Sequence, residues 1–358
     1  MLLDYRTARE VTVKTDDSEK ILRFITEMPK VELHLHLEGA IPIKTLYDLY
    51  RKKEGKPSIT NLNDFRKKFD YTDFANFIDV WTWKNTFIQQ VSDFDEITYQ
   101  VLKELSVQNV TYVEAFYAPG DYWRQGFSIR EITENIINGK TRAFRELGIH
   151  CELIIDLIRD HGPERSMHYL EAVTPFLGKG VIGIGLGGSE QLFPTGPYAP
   201  LYHEARERGF RLTAHAGEVA GPDSIWAAID TLGSERIGHG TRAYEDPNLV
   251  SCLKERQIPL EMCVISNVRT QVCTSVDDHP IRQYFDRGLM VTVNSDDPTM
   301  FNTSITNEFR VLYQKLGFSI DEIKVLTMNA IKSSFLSDMK KASLQLQIEK
   351  EWKELLGE

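Results

Sequence analysis

Residues 31–40 read VELHLHLEGA, and the alternation inside that run decides the fold. Side chains on a strand point to opposite faces in turn. Val31, Leu33, Leu35 and Leu37 therefore share one face, while Glu32, His34, His36 and Glu38 share the other. An apolar face backed by an ionisable one suits a strand whose outside meets helices and whose inside meets a polar site. Comparable runs recur at 110–118, 150–158, 181–186, 211–216, 236–239, 258–265 and 289–295, after the first at 30–37. Between them ITYQVLKELSVQ, IREITENIINGKTRAFREL, LYHEARERG, SIWAAIDTLG and NLVSCLKER place apolar residues three or four apart, the helical period. Eight strand–helix alternations predict an α/β fold, a single (β/α)8 TIM-type barrel, over an open doubly wound sheet. The two differ in whether the first and last strands meet.

The length of 358 residues accommodates one such barrel, and a single domain over 1–358 is expected because no linker or repeat divides the chain. Residues 41–100 form a long first crossover, rich in aromatics at FRKKFDYTDFANFIDVWTWKNTF, and are read as a lid insertion over the barrel mouth. Ser319 and Glu322 have capping-box spacing, and KKASLQLQIEKEWKELLGE is expected as a C-terminal helical extension packed outside the barrel. A net charge of −10 argues against nucleic acid or an anionic membrane as partner. No stretch reaches the roughly 20 apolar residues of a membrane span. MLLDYRTAREVTVKTDD lacks the apolar core of a secretory signal, and the four cysteines are sparse, so a cytoplasmic location is expected.

Chemistry gathers at the ends of the predicted strands, where barrel enzymes carry their sites. Two imidazoles two residues apart on one strand face, His34 and His36, can share a metal ion. TAHAGE adds His215 and Glu218, RIGHG adds His239 between two glycines, and VTVNSDDP adds Asp296 and Asp297. Three imidazoles and one carboxylate make a catalytic zinc shell with a position left for water. Glu218 and His239 are then available as proton donor and proton acceptor. GIGLGG at 183–188 matches a dinucleotide-binding pattern, but SEQLFPTGP follows it and cannot open the required helix.

Together PKVELHLHLEGA, TAHAGE, ERIGHGTRAYED, SNV and NSDDP resemble the adenosine deaminase family of the metal-dependent amidohydrolases, from about Pro29 to Leu336. The resemblance implies one zinc ion per chain, held by His34, His36, His215 and Asp296. It implies that Glu218 protonates the purine ring, that His239 orients or deprotonates the attacking water, and that Asp297 and the backbone of Gly188 bind the purine. The expected reaction is hydrolytic deamination of a 6-aminopurine nucleoside, adenosine first, with aminodeoxyfutalosine and adenine as alternative substrates. Glu38 stands where adenosine-specific relatives carry the aspartate that meets the ribose 5′-hydroxyl, Phe116 where many carry arginine, and Gly185 where aspartate is frequent. Trp81 and Trp83 add apolar bulk to the lid. A silent binding relative would lack a ligand or the proton donor, and none is missing. A two-metal amidase or phosphoesterase would more often carry a bridging lysine, and no predicted middle strand supplies one.

Overall fold

A computed structural model describes residues 15–70 and 74–357. The opening 1–14 and residues 71–73 of the aromatic crossover lie outside the described residues. Eight strands occupy the described chain: β1 (Lys30–His36), β2 (Val110–Tyr117), β3 (His150–Ile158), β4 (Val181–Gly187), β5 (Arg211–Ala216), β6 (Arg236–His239), β7 (Leu260–Met262) and β8 (Val291–Val293). They pair in parallel in sequence order, as right-handed strand–helix–strand units require. The first and last strands meet. The His36 amide donates to the Asp296 carbonyl at 2.9 Å, and the Asp296 amide donates to the His34 carbonyl at 3.1 Å. The bridge pairs Leu35 with Asp296 and closes the sheet, so the open-sheet alternative falls.

β1 displays the expected two faces. Val31, Leu33, Leu35 and Leu37 join the continuous apolar core shared with the surrounding helices. The other face enters a barrel interior that is polar rather than filled with branched apolar residues. Glu32, His34, Glu114, Arg236, Glu261 and Asn294 are all buried there. Arg236 forms ion pairs with both Glu114 and Glu261, and the Asn294 side-chain carbonyl accepts from the amides of Leu33 and His34. These ion pairs and hydrogen bonds offset part of the desolvation cost of burying so many polar groups.

The first crossover holds helices Ile43–Glu54, Leu62–Arg66 and Phe74–Asn85, then Asp93–Ser106, which packs beside Ile129–Leu147 on the barrel flank. Trp83 packs against Tyr50, Phe65 and Phe87 within this layer. Strands β7 and β8 are shorter than the 258–265 and 289–295 expected, because the chain turns helical at Val264–Arg269 and leaves the ladder at Asn294. The Ser319–Glu322 capping box forms at the start of helix Ile320–Ser333. Helix Asp338–Leu356 buries only Ile348 and Trp352, so its apolar stripe is narrow. Among the described residues no helix is long and apolar enough to cross a membrane.

Candidate metal centre and active site

The strand ends bring the polar stretches together. His36 Nε2 lies 3.1 Å from His215 Nε2, and Asp296 Oδ1 lies 3.4 Å from His36 Nε2 and 3.5 Å from His34 Nε2. Tetrahedral zinc with bonds of about 2.0–2.1 Å has ligand–ligand edges of roughly 3.3 Å, so these three separations match edges of such a shell. His34, His36 and Asp296 offer donor atoms that all lie within 4.8 Å of one another. His34 Nε2 is buried without a hydrogen-bond partner, an orphan that a cation would satisfy. Gly238 lets the cluster close up: a Cβ there would stand 2.9 Å from His34 Cε1. This glycine thus admits a neighbouring ring rather than a ligand.

The electrostatics also call for a cation. Burial and neighbouring imidazoles push His36 down to about 3 and His215 well below its ordinary range, which leaves their lone pairs free at neutral pH. Burial alone would lower His34 too, but the neighbouring carboxylates of Asp296 and Glu261 outweigh it and lift the ring to about 10. Two carboxylates converging on one imidazole want a positive charge between them, which a metal ion supplies as well as a proton. The donor set fits a metal ion on both counts.

The ligand candidates are held from behind. Glu261 Oε2 lies 2.8 Å from His34 Nδ1 and fixes that ring through the nitrogen facing away from the cluster. Ser266 Oγ donates to Asp296 Oδ2 at 2.6 Å. Asp296 adopts φ +63°, as His239 adopts +62°, and each costs about 1–2 kcal/mol in a residue with a Cβ. Such strain concentrates where side chains are aimed for function.

On the open side, Glu218 Oε2 and His239 Nε2 stand 3.7 Å apart, and His239 Nε2 is 4.0 Å from Asp296 Oδ2. Burial raises the Glu218 carboxyl, and the charges of Asp296 and Glu190 add to that effect. Asn267 Nδ2 is 3.1 Å from His239 Nδ1, and His279 Nε2 is 3.1 Å from Asn267 Oδ1. With the Asn267 amide donating to Nδ1, the His239 ring carries a proton on Nε2. Asp297 is buried with Oδ1 unpartnered, and burial together with Asp296 holds its carboxyl well above the usual range. Gly188 takes φ +86° at the end of β4, and no helix begins there before Gly196, consistent with rejecting a dinucleotide site.

Glu38 is buried beside an unforeseen residue. Lys84 reaches in from helix Phe74–Asn85, donates to the Glu38 carbonyl at 2.9 Å and lies 3.7 Å above the Trp81 ring. Burial lifts Glu38 to about 7 and lowers Lys84 to about 8. Asp156 was equally unforeseen: it is buried at the mouth with Oδ1 unpartnered, and burial raises it to about 8. Phe116 stacks on His36 at 5.1 Å between ring centroids.

The adenosine deaminase family model matches residues 29–351. An adenosine deaminase of Clostridium kluyveri is 33% identical over 89% of this chain and 92% of its own length. An adenine deaminase of Wolinella succinogenes is 34% identical over 90% of this chain and 98% of its own. An aminodeoxyfutalosine deaminase of Streptomyces avermitilis is 33% identical over 91% and 92%. Among solved structures, an adenine deaminase of Arthrobacter aurescens superposes with a TM-score of 0.85 at 31% identity, covering 91% of this chain and 99% of its own. A Burkholderia ambifaria amidohydrolase with bound zinc gives 0.87 at 25% identity, covering 98% and 96%.

Proposed function

The chain belongs to the adenosine deaminase family and is an aminohydrolase, and from that premise we propose that it deaminates a 6-aminopurine nucleoside with zinc. The observation that carries this reading is the convergence of His34, His36, His215 and Asp296 beside Glu218 and His239. In this reading the first four hold one zinc ion, which when bound lowers the pKa of water toward neutrality. Glu218, whose carboxyl burial shifts toward the protonated form, gives its proton to the purine ring nitrogen next to the amino-bearing carbon. His239, with its proton on Nε2, orients the attacking water as a hydrogen-bond donor. Asp297 and the Gly188 backbone hold the purine. Water's oxygen replaces the amino nitrogen, and ammonia leaves.

Adenosine is the first substrate to test. A second reading, the free base adenine, is favoured by the Glu38 end of the site. Lys84 and Glu38 are both almost fully buried where the resemblance places the sugar. Trp81, beneath the Lys84 ammonium, places an apolar ring nearby, which keeps aminodeoxyfutalosine in the comparison. We read the 41–100 crossover as the cover of that end, and the protein as a cytoplasmic enzyme.

The test is kinetics on adenosine, adenine and aminodeoxyfutalosine side by side, after chelation and after zinc is restored. Zinc-dependent loss of 6-aminopurine absorbance with one of the three is expected. Zinc-loaded protein that leaves all three unchanged defeats the proposal.

A further inference from the structure

Glu190 follows β4, carries no expected role, and is buried. Its carboxylate collects four consecutive amides of the segment after β5. Oε1 accepts from Gly217 at 2.5 Å, and Oε2 accepts from Glu218 at 3.2 Å, Val219 at 3.0 Å and Ala220 at 3.0 Å. A run of amides turned toward one point is an anion-binding nest, and here the anion is built into the chain. The carbonyls of the same segment are held from the opposite side. Thr241 Oγ1 donates to Gly217 at 2.8 Å, and Arg242 donates to Val219 at 2.8 Å.

Glu190 is itself anchored. Ser189 donates to Asp160 through its amide at 2.9 Å and its hydroxyl at 2.6 Å. Arg159 donates to the Thr195 hydroxyl at 3.1 Å and to the His215 carbonyl at 2.7 Å. The ends of β3, β4 and β6 therefore grip the short segment that carries Glu218. A loop bearing a proton donor would otherwise sample several backbone conformations, and a misplacement near 1 Å can cost about a hundredfold in rate.

We propose that Glu190 is a positioning residue for the proton donor: its carboxylate gathers the 217–220 amides and so fixes the backbone from which Glu218 reaches the substrate. The inference rests on the reading of Glu218 as that donor. A second effect accompanies the geometry. Glu190 also places a negative charge close to the Glu218 carboxyl, which favours the protonated form that a donor needs.

The experiment compares zinc-loaded wild type with Glu190→Gln, which keeps size but loses charge, and Glu190→Asp, which keeps charge but shortens the reach. Three quantities are read: amide hydrogen exchange across 217–220, zinc content, and the pH profile of kcat and kcat/KM. For Glu190→Gln we expect unchanged zinc and exchange at least about tenfold faster. We expect kcat to fall about 10- to 100-fold with little change in KM. The alkaline limb, where the donor loses its proton, should move down. For Glu190→Asp the exchange and kcat should change in the same direction while the limb stays in place. A limb that stays in place for Glu190→Gln, or exchange and kcat within twofold of wild type in either variant that folds, overturns the proposal. If wild type turns over no 6-aminopurine, the functional reading fails, and exchange alone then decides whether Glu190 clamps the segment.

Discussion

Asp296 bonds to β1 on both sides of Leu35 through its backbone, and it turns its carboxylate to the imidazoles of His34 and His36. The residue that closes the barrel is thus also a candidate metal ligand, so closure and the metal site share one position. Asp296→Asn should keep the closure, since asparagine tolerates the left-handed backbone, yet lose most of the bound zinc. Asp296→Ala should lose the zinc and about 1 kcal/mol more, for the strained backbone it retains. Metal content by elemental analysis and thermal midpoints with and without added zinc measure both. Full zinc in both variants removes Asp296 from the shell.

Glu218→Gln should retain zinc and fold normally, because the side chain is no ligand in this arrangement. Its amide cannot give up a proton, so kcat should fall by about 10²-fold or more. A rate within tenfold of wild type would assign the proton transfer elsewhere.

The Asn267–His239 contact separates two roles for the imidazole. With Asn267 donating to Nδ1, the proposed reading has His239 act through an Nε2 proton. Asn267→Asp would accept from Nδ1 instead and leave Nε2 with a lone pair. A ring that orients water by donation should then lose about 10-fold or more in kcat/KM, whereas a ring that acts as base should keep or gain activity. Steady-state kinetics at constant zinc distinguish them.

Much of this site is legible in VELHLHLEGA, TAHAGE, RIGHG and NSDDP, because a barrel confines ionisable residues on strand ends to one mouth. The partners behind them are harder to read. Glu261 and Glu114 lie among apolar neighbours in LEM and VTYVEAFY, and the face alternation that exposed His34 and His36 could have exposed them too. Glu190 and Lys84 give no such signal: a loop carboxylate and a helix lysine gain their roles only from which segments the closed barrel places beside them. The shortening of β7 was hidden for another reason. IPLEMCVI is apolar throughout, and periodicity cannot separate the end of a buried strand from the first turn of a buried helix.

Phe116 and Gly185 are complementary, since a Cβ at 185 would stand 2.6 Å from the Phe116 ring. Gly185→Ala should therefore destabilise the barrel by about 1–3 kcal/mol through overpacking. Phe116→Leu should relieve part of that cost, giving a positive coupling in a double-mutant cycle. Additive effects on the denaturation midpoint would show that the ring moves aside freely.

Glu308 offers a test of pH-dependent stability away from the metal ligands. It is fully buried, accepting from the Thr303 hydroxyl at 2.8 Å and the Ile265 amide at 3.2 Å. Burial, only partly offset by these bonds, raises its carboxyl to about 8. The unfolded chain releases this proton near pH 4.3, whereas the folded chain keeps it until about 8. Between those values the native state binds more protons than the unfolded state, so stability falls as pH rises. The slope for one such group approaches about 1.4 kcal/mol per pH unit. Glu308→Gln abolishes this contribution while leaving those of Glu32 and Asp156 in place, so the variant should gain on wild type steadily from pH 5 to pH 8. Urea midpoints at saturating zinc measure the difference, and parallel curves for the two proteins would mean that Glu308 is ionised in the fold.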